Sequence, residues 1–296
     1  METLLLQAEP VPLILVLVKS QRREYPMIVA ANTPSSSLDE SFVGRTPGSG
    51  WRGFPVQLWF SFWKLFTNPF SLGFAIGLPV FMYLIFGTSS QAQEQWVVNS
   101  NVSAIVLVNM AVYGTIMTAS SMGTNVALER TSGITRLYAL TPISSGALIA
   151  ARVIASMLVS LIVTGIVFCV GAASGARMES ATWASTLGLI VAVTALPIAL
   201  GLACAFGVRS DGAFALTSAF TVTGSFVAGM FIPLEQMGGF WQSLAPYTPF
   251  YGLVSMVQTP LFGWDSFESG WLGNYLFWMI TFLALSIWAQ RHDTGR

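Results

Sequence analysis

The sequence predicts an all-α integral membrane protein. It is expected to hold six transmembrane helices, an N-terminal interfacial helix and an extracytoplasmic re-entrant helical hairpin before the last span. Two observations carry this. Charged residues are 9% and hydrophobic residues 54% of the 296-residue chain, whereas about a quarter of a soluble domain is charged; the mean hydropathy is +0.67. Several apolar runs reach the ~20 residues that a helix rising about 1.5 Å per residue needs to cross ~30 Å of hydrocarbon. The basic residues, in addition, fall on one side of the layer that these runs define.

Taken in order, residues 1–52 are expected to be a poorly ordered cytoplasmic extension. METLLLQAEP carries Glu2 and Glu9 and no cation, so LILVLV at 13–18 does not read as a signal peptide, which starts basic and ends at a small-residue cleavage site. Met27 is an alternative start. The stretch 32–50 has the Pro-, Ser- and Gly-rich composition of a disordered tail. Residues 53–66, GFPVQLWFSFWKLF, are aromatic but too short to span. Trp59 and Trp63, four apart, share a helix face and Lys64 stands off it, the pattern of a helix lying in the membrane interface.

The transmembrane domain, 67–296, follows Asn68-Pro69, with spans expected at about 70–87, 102–124, 147–171, 183–207, 213–232 and 271–289. Pro79 and Pro197 are expected to kink their helices. Small residues at four-residue spacing (Gly73 and Gly77, then Ala195, Ala199 and Ala203) are expected at helix contacts. Six spans put both termini on one side. With that side cytoplasmic, Lys19, Arg22, Arg23, Arg45, Arg52, Lys64, Arg130, Arg136, Arg152, Arg209, Arg291 and Arg296 lie inside and only Arg177 outside, as the positive-inside rule requires. An odd number of spans spoils this asymmetry.

What the chain lacks narrows its function. Apart from Arg152, a turn or so into the third span and expected to snorkel to the interface, the spans hold no Asp, Glu, Lys, Arg or His. Proton- and voltage-driven machines carry such groups, so those classes are disfavoured; Asn109 leaves sodium open. The only lysine followed by Ser or Thr is Lys19, and Leu13 and Val18 stand where a phosphate-binding loop has glycines. There is no His-Glu-x-x-His, no span pairs Ser with His, and His292 is the only histidine, so neither a catalytic nor a metal site is expected. Cys169 and Cys204 sit in apolar runs. A net charge of zero gives no reason to expect a nucleic-acid partner. The chain does not read as an enzyme, and directed work draws its energy from another polypeptide.

Two stretches stand out. In 127–153, ALERTSGITRLYALTPISSGALIAARV, charge gathers between apolar runs. The topology makes 127–146 the main cytoplasmic loop. Glu129 and Arg130 end the second helix and Gly133 supplies a turn. Ile134, Leu137 and Tyr138 share a face of a short helix with Arg136 off it. Pro142 ends that helix, and Ser144-Ser145 offer N-caps. Such a helix either only sets topology or docks into a partner's groove; the residues leave both open. The stretch 231–263 is too broken by Pro233, Pro246, Pro249 and Pro260 to span, and too apolar for a free loop. Helices dipping back into the outer leaflet fit, provided protein covers their backbone. Trp241, Trp264 and Trp271 are expected at the outer headgroup level, and Trp59, Trp63 and Trp288 at the inner one.

ERTSGITRLYALTPIS resembles the cytoplasmic loop of ABC-2 type transporter permeases. It matches at Glu129, Gly133, Leu137, Thr141, Pro142 and Ser144 and departs at Thr131-Ser132 and Ile134, where relatives carry further charge and Thr. The stretch 233–263 resembles their re-entrant segment, here with Pro233, Trp241, Pro246 and Pro249. The likeness covers about residues 53–290. It implies that 127–146 is a coupling helix seated in a cleft of a separate ATPase subunit, contacting it through Glu129, Arg130, Gly133, Arg136, Leu137, Tyr138 and Pro142. It also implies that ATP and Mg bind that subunit and no cofactor binds this chain. It further implies a second permease copy, in a homodimer or a heterodimer. The cargo implied is a drug- or antibiotic-like amphipathic molecule or a lipid, exported across a bacterial inner membrane. The alternatives are export of lipid-linked polysaccharide, an uncoupled channel or scaffold, and a membrane enzyme acting on lipids.

Overall fold

The computed structural model describes residues 50–66, 69–134, 138, 141, 143–208 and 210–292. All but the end of the predicted extension, and Met27 with it, lies outside the described residues. What is described is helical, with only two isolated bridges, Trp96–Asn101 and Ser100–Met178.

Helix α1 (Phe54–Phe66) occupies the predicted interfacial stretch. Helix α2 (Pro69–Phe86) starts on a proline, which suits a first helical position. A one-turn α3 (Ser90–Glu94) leads to α4 (Val102–Thr131). The Asn101 side chain caps α4 by accepting from the Ala104 amide at 3.0 Å. Ser144 caps α5 (Ser145–Ala173) in the predicted way, accepting from the Ala147 amide at 3.2 Å. Then come α6 (Ser180–Ala192), α7 (Ala195–Gly207), α8 (Ser210–Val227), α9 (Gly239–Leu244), α10 (Tyr251–Phe262) and α11 (Ser269–His292).

Four stretches among the described residues are long and apolar enough to cross a membrane: Val102–Thr131, Gly146–Ala173, Ser180–Gly207 and Ser269–His292. Helices α2 and α8 fall on the predicted spans 70–87 and 213–232, but each has 18 residues, a length of about 27 Å. The second helix continues past 124 to Thr131, close to the end expected at Glu129 and Arg130, so the stretch 127–146 begins as helix. The span 183–207 is two helices, divided by a turn at Val193–Thr194. Pro197 has no N–H to give the Val193 carbonyl, and the Thr194 hydroxyl turns back to the Val191 carbonyl at 2.7 Å.

Helix α4 is the axis of the bundle. It touches α2, α5, α7 and α8, and Leu107, Val108, Ile116 and Ala119 along it are fully buried. Its closest neighbour is α7. A Cβ on Gly201 would lie 2.1 Å from the Ser120 carbonyl oxygen, and one on Gly123 would lie 2.5 Å from that of Ile198, so only glycine lets these backbones meet. Among the described residues the predicted contact at Gly73 and Gly77 is not formed: a Cβ on either would meet nothing within 4 Å. Helix α11 packs on α7 and α10.

The end of the bundle that holds Asn101 is knotted by that one side chain. Its Nδ2 donates to the Gln93 and Gly175 carbonyls at 3.0 and 2.9 Å, and its Oδ1 also accepts from the Arg177 amide at 2.9 Å. In the predicted re-entrant segment, α9 is exposed. The 12-residue α10 buries Leu253, Val254, Val257 and Leu261 against α11, α6 and α4.

Candidate functional site

The charged residues converge where α4 ends. Glu129 sits in the last turns of α4, and its carboxylate is 9% exposed. Oε1 accepts from Lys64 Nζ at 3.2 Å, and Oε2 accepts from the Arg152 guanidinium. Lys64 comes from the last turn of α1 and Arg152 from the second turn of α5. One carboxylate therefore ties three helices together. The Arg152 side chain is only 10% exposed. The snorkelling predicted for it does not occur: a buried carboxylate lies within reach, and a desolvated ion needs a partner.

Arg130, the next residue, points elsewhere. It donates to the Ala205 carbonyl at 2.8 Å and lies over the Phe206 ring, 5.1 Å from its centroid. It thus supplies a cation and a donor to the open carbonyls at the C-terminus of α7. Glu129 and Arg130 join the end of α4 to α1, α5 and α7.

Past α4 the chain turns. Gly133 has φ +76°, a left-handed geometry that favours glycine. Thr131 and Ser132, which depart from the resemblance, cap the helix: their hydroxyls donate to the Leu128 carbonyl at 3.1 and 2.8 Å. Ile134 is exposed and Tyr138 half-buried, and the Thr141 hydroxyl donates to the Tyr138 carbonyl at 2.7 Å. Arg136, Leu137 and Pro142 lie outside the described residues. The Ser144 amide donates to the Gly50 carbonyl at 2.8 Å, so the segment before α1 meets the end of the loop.

Sequence reasoning did not foresee the Lys64–Glu129–Arg152 cluster. The available signal was that charge is scarce, and that the expected topology had already put these three residues on one side.

The second predicted site lies toward the other end of α4. Asn274 holds it, donating to the Pro246 and Thr248 carbonyls at 2.8 and 3.2 Å and accepting from the Gly252 amide at 3.2 Å. Gln258 of α10 donates to Asn109 of α4 at 2.7 Å, so the amide left open for sodium bonds within the chain. Pro233 precedes a one-turn 3₁₀ helix, Leu234–Gln236. Trp241 and Pro249 line an apolar cavity of about 260 Å³ with Leu200, Phe220, Gly224 and Phe250.

Residues 90–289, from α3 almost to the end of α11, match the model of the ABC-2 family transporter protein. No curated protein matches the chain.

Proposed function

The chain belongs to the ABC-2 family of transporter proteins, and from that premise we propose that it is the membrane permease of an ATP-driven exporter whose energy comes from a separate ATPase subunit. The observation that supports coupling is the ion-paired junction of Glu129 with Lys64 and Arg152. The helix that leads into the loop at 127–146 is fastened by charge to α1 and to the helix that leaves that loop. A push on the loop then moves α1, α4 and α5 as one body.

In this reading the loop seats in a cleft of the ATPase through Arg136, Leu137, Tyr138 and Pro142, and Gly133 sets its angle. Helices α2, α4, α5, α6 with α7, α8 and α11 are the six spans. The segment 233–263 re-enters the outer leaflet, with the Asn274 amide covering part of its backbone and Gln258 tying it to Asn109 of α4. Both termini face the cytoplasm of a bacterial cell. Two permease copies assemble with two ATPase subunits, and cargo moves outward between the copies. The apolar spans favour an amphipathic small molecule or a lipid, because charged cargo lacks a counter-ion there.

The test is co-purification of the tagged permease with its ATPase, and ATP turnover of the reconstituted pair. The pair Arg136→Glu with Leu137→Asp is expected to lose both assembly and cargo-stimulated turnover. A permease that brings down no ATPase, and is indifferent to these changes, is an uncoupled channel or scaffold. Stimulation by lipid-linked polysaccharide and by no amphipathic molecule reassigns the cargo.

A further inference from the structure

Helix α1 wears its polar side inward. Gln57 is 8% exposed and donates to Ser61 at 3.3 Å, while Leu58 and Phe62 rest on Met122, Ala155 and Val159. Val56, Trp59, Phe60 and Trp63 point away from the protein, with Trp59 64% exposed. The Trp59 and Trp63 rings stack at 5.6 Å. A helix facing water presents the opposite pattern; this one suits the headgroup–acyl boundary of a bilayer. Cations bracket the aromatic face, with exposed Arg52 before it and Lys64 in its last turn. Arg52 is exposed and the Lys64 side chain is 38% exposed, so two accessible cations flank the apolar face of α1.

We propose that this face of α1 binds anionic phospholipid headgroups of the adjoining leaflet, and that Lys64 is the contact that senses them. Two features favour lipid as the occupant: the aromatic rings set the depth, and the flanking cations Arg52 and Lys64 complement a phosphodiester. The two partners of Glu129 differ in access. Lys64 is 38% exposed at its side chain, so a headgroup phosphate can take its ammonium in a charge-assisted hydrogen bond. Arg152 is enclosed and keeps Glu129 paired when Lys64 turns outward. Lipid binding then loosens α1 from the end of α4 without stranding a buried carboxylate. This regulatory consequence rests on the proposed function; the binding itself does not.

The experiment titrates short-chain phosphatidylglycerol into the full-length permease in neutral detergent and follows its thermal unfolding. Phosphatidylcholine of the same chain length and glycerol phosphate serve as comparisons. Phosphatidylglycerol alone is expected to stabilise. Arg52→Gln, which alters no contact of Glu129, and Lys64→Gln are each expected to weaken its apparent affinity about fivefold. Arg177→Gln, at the opposite end of the bundle, leaves it unchanged. Equal stabilisation by phosphatidylcholine, a response that survives both substitutions, or glycerol phosphate matching the lipid overturns the inference. Stabilisation that follows protein concentration and not lipid also overturns it and assigns the face to a second copy. A normal lipid response in a permease that pairs with no ATPase overturns the proposed function alone.

Discussion

Arg152 and Glu129 form a buried ion pair across the two helices that flank the loop, with both residues under a tenth exposed. Their charges neutralise each other where water cannot. Removing one partner of such a pair costs about 3–5 kcal/mol, because the other charge is left in a poor solvent. Arg152→Met is therefore expected to lower stability by about 3 kcal/mol, at the low end because Lys64 remains. Arg152→Met with Glu129→Met should recover most of that loss. Thermal unfolding of the four proteins of this cycle in detergent measures it.

Gly201 is the next point of failure. The Cβ of Gly201→Ala would sit 2.1 Å from the Ser120 carbonyl oxygen of α4, and both backbones must part to admit it. Overpacking of this kind costs about 1–3 kcal/mol. Gly77→Ala is the matched control. Among the described residues nothing lies within 4 Å of its Cβ, so its effect should be neutral or stabilising by up to about 1 kcal/mol. Equal destabilisation by the two substitutions contradicts the α4–α7 contact.

The amide pair of Asn109 and Gln258 gives a third test. Asn109→Leu leaves the Gln258 amide without the acceptor it reaches at 2.7 Å. An unsatisfied polar group costs about 1–3 kcal/mol. Adding Gln258→Leu to Asn109→Leu should return stability to near that of the parent, since two apolar groups of similar shape replace two polar ones. A double variant worse than the single one argues that the pair does not act as a unit.

Asn101 is the fourth. Asn101→Ala removes four hydrogen bonds at 2.9–3.0 Å, the cap of α4 among them. A loss of at least about 2 kcal/mol is expected. Hydrogen exchange should rise at the Ala104 and Arg177 amides, which donate to the Asn101 side chain, before it rises at the centre of α4.

The helices were legible from the sequence because each announces itself locally. An apolar run has a length, Ser144 is a capping residue, and Pro197 removes an amide wherever it stands. The site was legible only by its side of the membrane. Lys64 and Glu129 are 65 positions apart, and no periodicity within either helix tells which residue the other meets. Arg152 shows why. A cation a turn or two inside a span has the same local pattern whether it stretches out to headgroups or turns in to a carboxylate. The choice belongs to the packing of α4 against α5. Gly73 and Gly77 failed for the same reason: small residues permit close approach, but the partner has to be there. At Gly201, which the four-residue spacing did not single out, the α4 backbone stands opposite, and Gly123 admits α7 in return.

Helix α4 runs unbroken for 30 residues from the Asn101 knot to Thr131. It carries Asn109 against α10 near one end and Glu129 against α1 and α5 near the other. Its phase is therefore fixed at two points. Deleting one residue between them turns Glu129 by about 100° relative to Asn109 and draws it in by about 1.5 Å, so the two engagements cannot both survive. Deleting four turns it by about 400°, within about 40° of register, but shortens the shaft by about 6 Å. The helix is keyed at both ends, and its length in this interval is as much a part of the protein's chemistry as the side chains it carries.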